Sequence, residues 1–207
     1  KNPYALDRRP SGSSGGTAAA VAANLATIGT GSDTCSSVRS PPGFTNLVGI
    51  RPTRGLVSRT GIMPLSERQD TVGPITRTVS DAARMLDVLA GYDPADPITA
   101  RGVGEVPLGG YAALLNVDAL KDARIGVLRD LFKPADADAV TDTSVEAITD
   151  TIDRSIAELA SAGATIIDPF DTVGLADLAA ARVVKYEFKR DFNSYLRGRE
   201  SDVGVES

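Results

Sequence analysis

Histidine is absent from the sequence, and cysteine occurs once, as Cys35. A single thiol excludes an internal disulfide framework and most cysteine-based metal sites. Without imidazole, a zinc site would have to use carboxylates alone, which zinc rarely accepts in that number. The missing histidine also removes the usual base of a serine triad. No cofactor or metal is expected. Positive charge is in deficit as well: the net charge of −5 argues against a broad nucleic-acid or anionic-membrane surface. No apolar run reaches membrane-spanning length and no signal peptide is visible, so a cytoplasmic location is expected. A starting methionine is missing too, since the chain opens on KNPYALDRRPSGSSGG. That opening reads as a piece of something longer. What remains is ordinary for a globular protein, with 42% apolar and 24% charged residues.

The pattern along the chain is that of the α/β class. Residues 1–16 read as a Pro-, Ser- and Gly-rich loop. TAAAVAANLA (17–26) is a strong helix former whose small side chains allow close packing. A short buried strand is expected in ATIGTGSDT, and Gly and Pro break NLVGIRPTRGLVSRTGIMPL into short extended pieces. SDAARMLDVLAG predicts a helix capped by Ser80, lined by Ala82, Met85, Leu86 and Leu89, and ended by Gly91. Residues 92–120 read as a surface connection. Beyond it, the strand ARIGVL (123–128), an amphipathic helix over 143–162 and the strand in ATIIDPF make a βαβ pattern. A last helix is expected in DLAAARVVKYEFKRDFNSYL.

The chemistry is concentrated in SGSSGGTAAAVAANLATIGTGSDTCSSVR (11–39), which holds six serines. A Gly/Ser-rich loop before a helix is most often a turn and a cap. GSSGG also fits a G-x-S-x-G nucleophile elbow centred on Ser14, but such an elbow follows a strand and needs a histidine. Neither is present. A phosphate cradle at the helix start would want Lys and Ser/Thr after the last glycine, and GGTAAAV offers only Thr17.

Taken together, NPYALDRRPSGSSGGTAAAVAA and GTGSDTCSSVRSPPGFTNLVGIRPTRGLVSRTGIMPLSERQDTVGPITRTVSDAARML resemble the amidase signature family. Several separate motifs agree in order and spacing over residues 2–91. Beyond residue 100 the likeness is weaker and rests mainly on LKDARIGVLRD. The resemblance implies one amidase-signature domain with a mixed β-sheet flanked by helices, partial in this chain: a core at 1–91, the connection at 92–120, and a βαβ-like region at 121–207. It implies amide hydrolysis by a Ser–Ser–Lys triad. The nucleophile then falls on Ser37 in SDTCSSVR. The bridging serine, whose peptide bond is cis in the family, falls on Ser13, 24 residues earlier. Backbone N–H groups of Thr34, Cys35, Ser36 and Ser37 would form the oxyanion hole, with Cys35, Ser36 and Ser14 near substrate.

That assignment is chemically coherent. A serine hydroxyl is a weak nucleophile until a base takes its proton, and a lysine kept neutral by burial can serve. Ser13 would relay the proton to the departing amine. Two departures stand out. Cys35-Ser36 replaces the Gly-Gly common before the nucleophile, so both side chains must point away or narrow the acyl pocket. Cys35 is read as buried or pocket-lining and not as the nucleophile, because nothing near it in sequence lowers a thiol pKa. The family's lysine lies well upstream of the Gly/Ser motif and Lys1 is too close to match it. Residues 1–207 alone are therefore expected to be inactive.

Other positions carry plainer readings. Asp33 and Arg39 are expected to pair and hold the nucleophile segment, and Gln69 and Asp70 to act as scaffold or pocket residues. Asp130, Asp136, Asp138 and Asp142 lack EF-hand spacing and read as a solvated loop. The first functional reading is an amidase acting on a small-molecule amide through an acyl-Ser37 intermediate, with a homodimer left open. The second is the glutaminase subunit of a tRNA-dependent amidotransferase; MPLSERQDTVGP looks more like the free-standing amidases. A non-catalytic phosphate-binding module is the third.

Overall fold

The computed structural model describes residues 1–132, 142–171 and 183–199. They form two compact units. One holds residues 1–114 together with a C-terminal helix; the other starts at Leu115.

In the first unit, β1 (Gly29–Asp33), β2 (Val48–Gly49) and β3 (Thr71–Thr76) make an antiparallel sheet of order β1-β3-β2. All six residues of the central β3 are buried. Strand side chains alternate between faces, so Val72 and Ile75 point to opposite sides of the sheet. Ile75 packs with Ala18 and Val38, whereas Val72 packs with Val57 and Leu86. Helix α1 (Gly15–Ala22) supplies Ala18 to the first cluster, and α3 (Val79–Leu89) supplies Leu86 to the second. The sheet is thus the middle layer of this unit. Short α2 (Ser40–Phe44) opens on Pro41 and Pro42, whose missing N–H groups cost nothing in a first turn.

Several element bounds differ from those expected. Helix α1 begins at Gly15 and stops at Ala22, where Asn24 turns the chain with φ of 58°. Thr78, not Ser80, caps α3. Its hydroxyl accepts from the Asp81 amide (3.1 Å) and donates to the Asp81 carboxylate (2.8 Å), a reciprocal cap. The connection after α3 is not all surface. It forms 3₁₀ turns at Pro97–Gly102 and Ala112–Leu114 and buries Asp96 and Thr99.

The second unit contains β4 (Arg124–Gly126), α4 (Asp142–Ser161) and β5 (Thr165–Ile167). The two strands pair in parallel, as a βαβ crossover requires. The last helix, α5 (Val184–Arg197), belongs to the first unit, although the βαβ region precedes it in sequence. The reason is polar: its buried Glu187 and Asp191 bond to Ser66 and Glu67. No helix among the described residues is long and apolar enough to cross a membrane. Asp136 and Asp138 lie outside the described residues, as does the first part of the last predicted helix.

Candidate active site

The Gly/Ser loop and the SDTCSSVR segment meet at both ends. Ser14 Oγ donates to the Ser32 carbonyl at 3.2 Å, and Ser11 Oγ lies 2.7 Å from Ser40 Oγ. Residues 11–14 are thereby tied alongside residues 32–40, with Ser13 in one strip and Ser37 in the other. The contact with β1 is close because Gly31 has no side chain: a Cβ there would meet Ser14 Oγ at 2.5 Å. The Gly12–Ser13 peptide bond is cis, the isomer that the resemblance implies at this position. Ser13 is exposed and Ser37 half-buried. No hydrogen bond joins their hydroxyls among the described residues.

Asp33 shapes the segment that follows it. Its side chain is fully buried, and its Oδ2 accepts from the Val38 amide at 3.0 Å and from Arg39 Nε at 3.3 Å. On the other side, Oδ1 accepts from Arg51 Nη1 at 2.7 Å. The same guanidinium reaches the carbonyls of Asp33 (2.5 Å) and Gln69 (2.8 Å). Arg39 also donates to the Cys35 carbonyl. Carbonyl groups of this turn are used up as well, since Ser36 O accepts from the amides of Arg39 (2.9 Å) and Ser40 (2.7 Å). By contrast, the amides of Cys35, Ser36 and Ser37 donate to no protein acceptor among the described residues. A run of free N–H groups beside a serine hydroxyl is what an oxyanion needs.

Thr34 is held from the turn just before β3. Its hydroxyl donates to Asp70 Oδ1 at 2.5 Å, and Asp70 Oδ2 accepts from the amides of Leu65 (2.8 Å) and Ser66 (2.9 Å). Asp70 is therefore a buried scaffold residue, one of the two roles expected of it, and it also lines a cavity. That cavity, of about 260 Å³, is bordered by Arg59, Glu67, Asp96, Asp191 and Tyr195 as well. In its wall the hydrogen-bonded guanidinium of Arg59 holds the Asp96 carboxyl below its ordinary range, against the opposing effect of burial. The Oε1 atom of Gln69 is buried with no partner among the described residues.

Cys35 corrects an expectation. It is exposed, which removes the buried alternative and leaves only the pocket-lining one. Ser36 is exposed and Thr34 buried. Lys1, Lys121, Lys185 and Lys189 are all exposed. Lys133 lies outside the described residues. No three His, Cys, Asp or Glu side chains among the described residues come together to hold a metal ion. Arg51, Glu187 and Asp191 were not singled out from the sequence. Arg51 sits in a Gly/Pro-broken stretch, and the two acids sit among other charged residues of their helix.

The Amidase family model matches residues 1–197. A probable amidase of Arabidopsis thaliana is 38% identical over 203 residues, covering 95% of this chain and 36% of the plant protein. The A-type component of the Glutamyl-tRNA(Gln) amidotransferase of Microcystis aeruginosa is 37% identical over 224 residues, covering 99% of this chain and 44% of that relative. Among solved structures, the native peptide amidase of Stenotrophomonas maltophilia superposes with a TM-score of 0.83 at 38% identity, covering 96% of this chain and 39% of that one. The chain spans roughly two-fifths of the length of these relatives.

Proposed function

Because the chain belongs to the Amidase family, we propose that the complete protein hydrolyses the C–N bond of a small carboxylic amide through an acyl ester on Ser37. The observation that carries this reading is the run of free amides at Cys35, Ser36 and Ser37, which ends abruptly where Asp33 takes the Val38 amide. In the proposed reaction Ser37 Oγ attacks the amide carbon and gives its proton through Ser13 to a lysine outside residues 1–207. The carbonyl oxygen becomes an oxyanion held by the free N–H groups. Ser13 returns the proton to the nitrogen as the C–N bond breaks, because an amide anion is a very poor leaving group. Water then cleaves the acyl ester by the reverse relay. Cys35 and Ser36 border the acyl group, and Ser14 holds the Gly/Ser loop in place.

The test uses the complete protein, a fluorophosphonate probe and peptide mass mapping. The label is expected on Ser37, and Ser37→Ala abolishes both labelling and turnover. Ser13→Ala should lower kcat by about 10²–10⁴-fold, the range for general acid–base groups, while Cys35→Ala keeps substantial turnover with altered acyl preference. Label on Cys35 or Ser14, or an active Ser37→Ala, would overturn the assignment. The likeness to the A-type component of an amidotransferase favours a second reading, a glutaminase that hands ammonia to a partner. Amide turnover by the isolated protein supports the first reading; dependence on glutamine and on copurifying partner chains supports the second. The form we propose is cytoplasmic, with a homodimer to be tested by light scattering.

A further inference from the structure

The oxyanion segment is connected to the far C-terminal helix by an unbroken run of buried hydrogen bonds. Thr34 Oγ1 donates to Asp70 Oδ1, and Asp70 Oδ2 accepts from the Leu65 and Ser66 amides. The same turn is closed from within, since Ser66 O accepts from the Gln69 (3.0 Å) and Asp70 (2.8 Å) amides. Residues 65–70 thus move as one piece with the Asp70 carboxylate at the centre. Two carboxylates of α5 grip the outside of that turn. Ser66 Oγ donates to Glu187 Oε2 at 2.5 Å, and the Glu67 amide donates to Asp191 Oδ2 at 2.7 Å.

Glu187 and Asp191 are four residues apart, so they share one face of the helix. Both are deeply buried, with relative exposures of 5% each. Buried carboxylates need partners to remain charged. Arg68 Nε lies 3.1 Å from Glu187, and Arg190 lies 2.7 Å from Asp191 and 3.6 Å from Glu187. Burial pushes the Asp191 carboxyl up. The bonds from Arg190 and the Glu67 amide, with the charges of Arg190 and Arg68, outweigh it and leave the group below its ordinary value. Nothing else in the proposed chemistry uses these two acids, which lie far beyond the turn in sequence, 121 positions for Ser66–Glu187 and 124 for Glu67–Asp191.

Building on the reading of Thr34–Ser37 as the oxyanion segment, we infer that Glu187, through Ser66, and Asp191, through the Glu67 amide, are positioning residues that set the placement of its donors by way of Asp70 and Thr34. A donor helps only if it already points to where the oxyanion will form, within a few tenths of an ångström. Loosening the 65–70 turn lets Asp70 withdraw from Thr34, and the first residue of the segment loses its anchor. The ground-state amide is little affected by this, and the tetrahedral state is affected most.

The experiment uses the complete protein with Ser66→Ala, Glu187→Ala and Glu187→Gln. It measures kcat and KM for a chromogenic anilide, and inhibition by a trifluoromethyl ketone, which forms a tetrahedral adduct on a serine. Both alanine variants should lower kcat by about 10- to 100-fold, short of the roughly 10²–10³-fold loss when a donor is removed outright. KM should stay within about threefold, and the ketone should bind more weakly in proportion to kcat. Glu187→Gln should recover most of the rate, because its amide oxygen still accepts the Ser66 hydroxyl proton. An unchanged kcat, a loss confined to KM, or ketone binding that does not follow kcat overturns the inference. So does failure of both alanine variants to fold, which would leave α5 as a folding element only. If the wild-type protein neither turns over the anilide nor takes label on Ser37, the functional reading itself falls.

Discussion

Two arginines in this chain each bond a carboxylate distant in sequence, and the carboxylates differ chiefly in what surrounds them. Arg51 joins the fully buried Asp33 carboxylate to the carbonyls of Asp33 and Gln69. In the second unit Arg129 spans Asp153 at 2.6 Å and also bonds Asp168, with side chains 34%, 45% and 26% exposed respectively. The geometry is equally good in both. At Arg129, water and salt screen the charges and can replace either partner when the pair opens. The Asp33 carboxylate is fully buried and has no such substitute, so removing its partners strands it away from water. The Ser37 segment is held by the second kind of contact.

Substitution at Asp33 should therefore have the largest effect. Asp33→Ala leaves the Val38 amide and Arg51 without their acceptor and should destabilise the complete protein by about 3–5 kcal/mol, the range for breaking a buried pair. Denaturant unfolding measures this, and a loss under about 1 kcal/mol, typical of exposed pairs, would erase the contrast.

Acid sharpens the comparison at intermediate scale. Asp96, bonded to Arg59, and Asp191 both sit below their ordinary value. A carboxyl with a depressed folded-state pKa binds fewer protons folded than unfolded over that interval, so stability falls as pH falls. Their contribution is fully present above about pH 4, the unfolded value, and is lost as pH drops through the depressed folded values. Hydrogen exchange on the complete protein at about pH 5 and about pH 3, either side of that unfolded value, should show protection lost first around 59–70 and 184–197. Asp168 is also lowered by its bond to Arg129, but added salt should blunt its acid sensitivity and leave that of Asp96 largely intact.

Arg129→Ala should have the smallest effect. Melting temperature is expected to stay within the scatter of the wild type at physiological salt. A clear drop would mean that Arg129 is not working as an exposed pair.

Much of this could be read from residues. The signature motifs carried the family, the Gly/Ser loop and the Ser37 segment, because those stretches are dense in residue types with unusual backbone or chemical use. The βαβ pattern was legible from apolar spacing alone, with Val145 to Leu159 at helical intervals between two short apolar runs. The central strand was not. TVGPIT carries Gly73 and Pro74, both strand-weakening in isolation, and only its burial on two faces makes it the middle of a sheet. Thr78 was overlooked as a cap because Ser80 stands closer to the apolar run and is equally suitable chemically. The grip of Glu187 and Asp191 on the 65–70 turn leaves no trace in local sequence, since its partners are over a hundred positions apart and its acids look like solvated helix charges.

The spacing between the Gly/Ser loop and the nucleophile segment depends on atoms that are absent. A methyl group at Gly31 would press into Ser14, and one at Gly73 would run into the Ile50 carbonyl. In neither case is the obstacle the end of a flexible chain. The sheet works as a spacer of fixed thinness. Enlarging Gly31 would push the Gly/Ser loop away from the strand that leads into the Ser37 segment while leaving every side chain of both chemically intact. Such a variant would retain all its parts and lack only their separation.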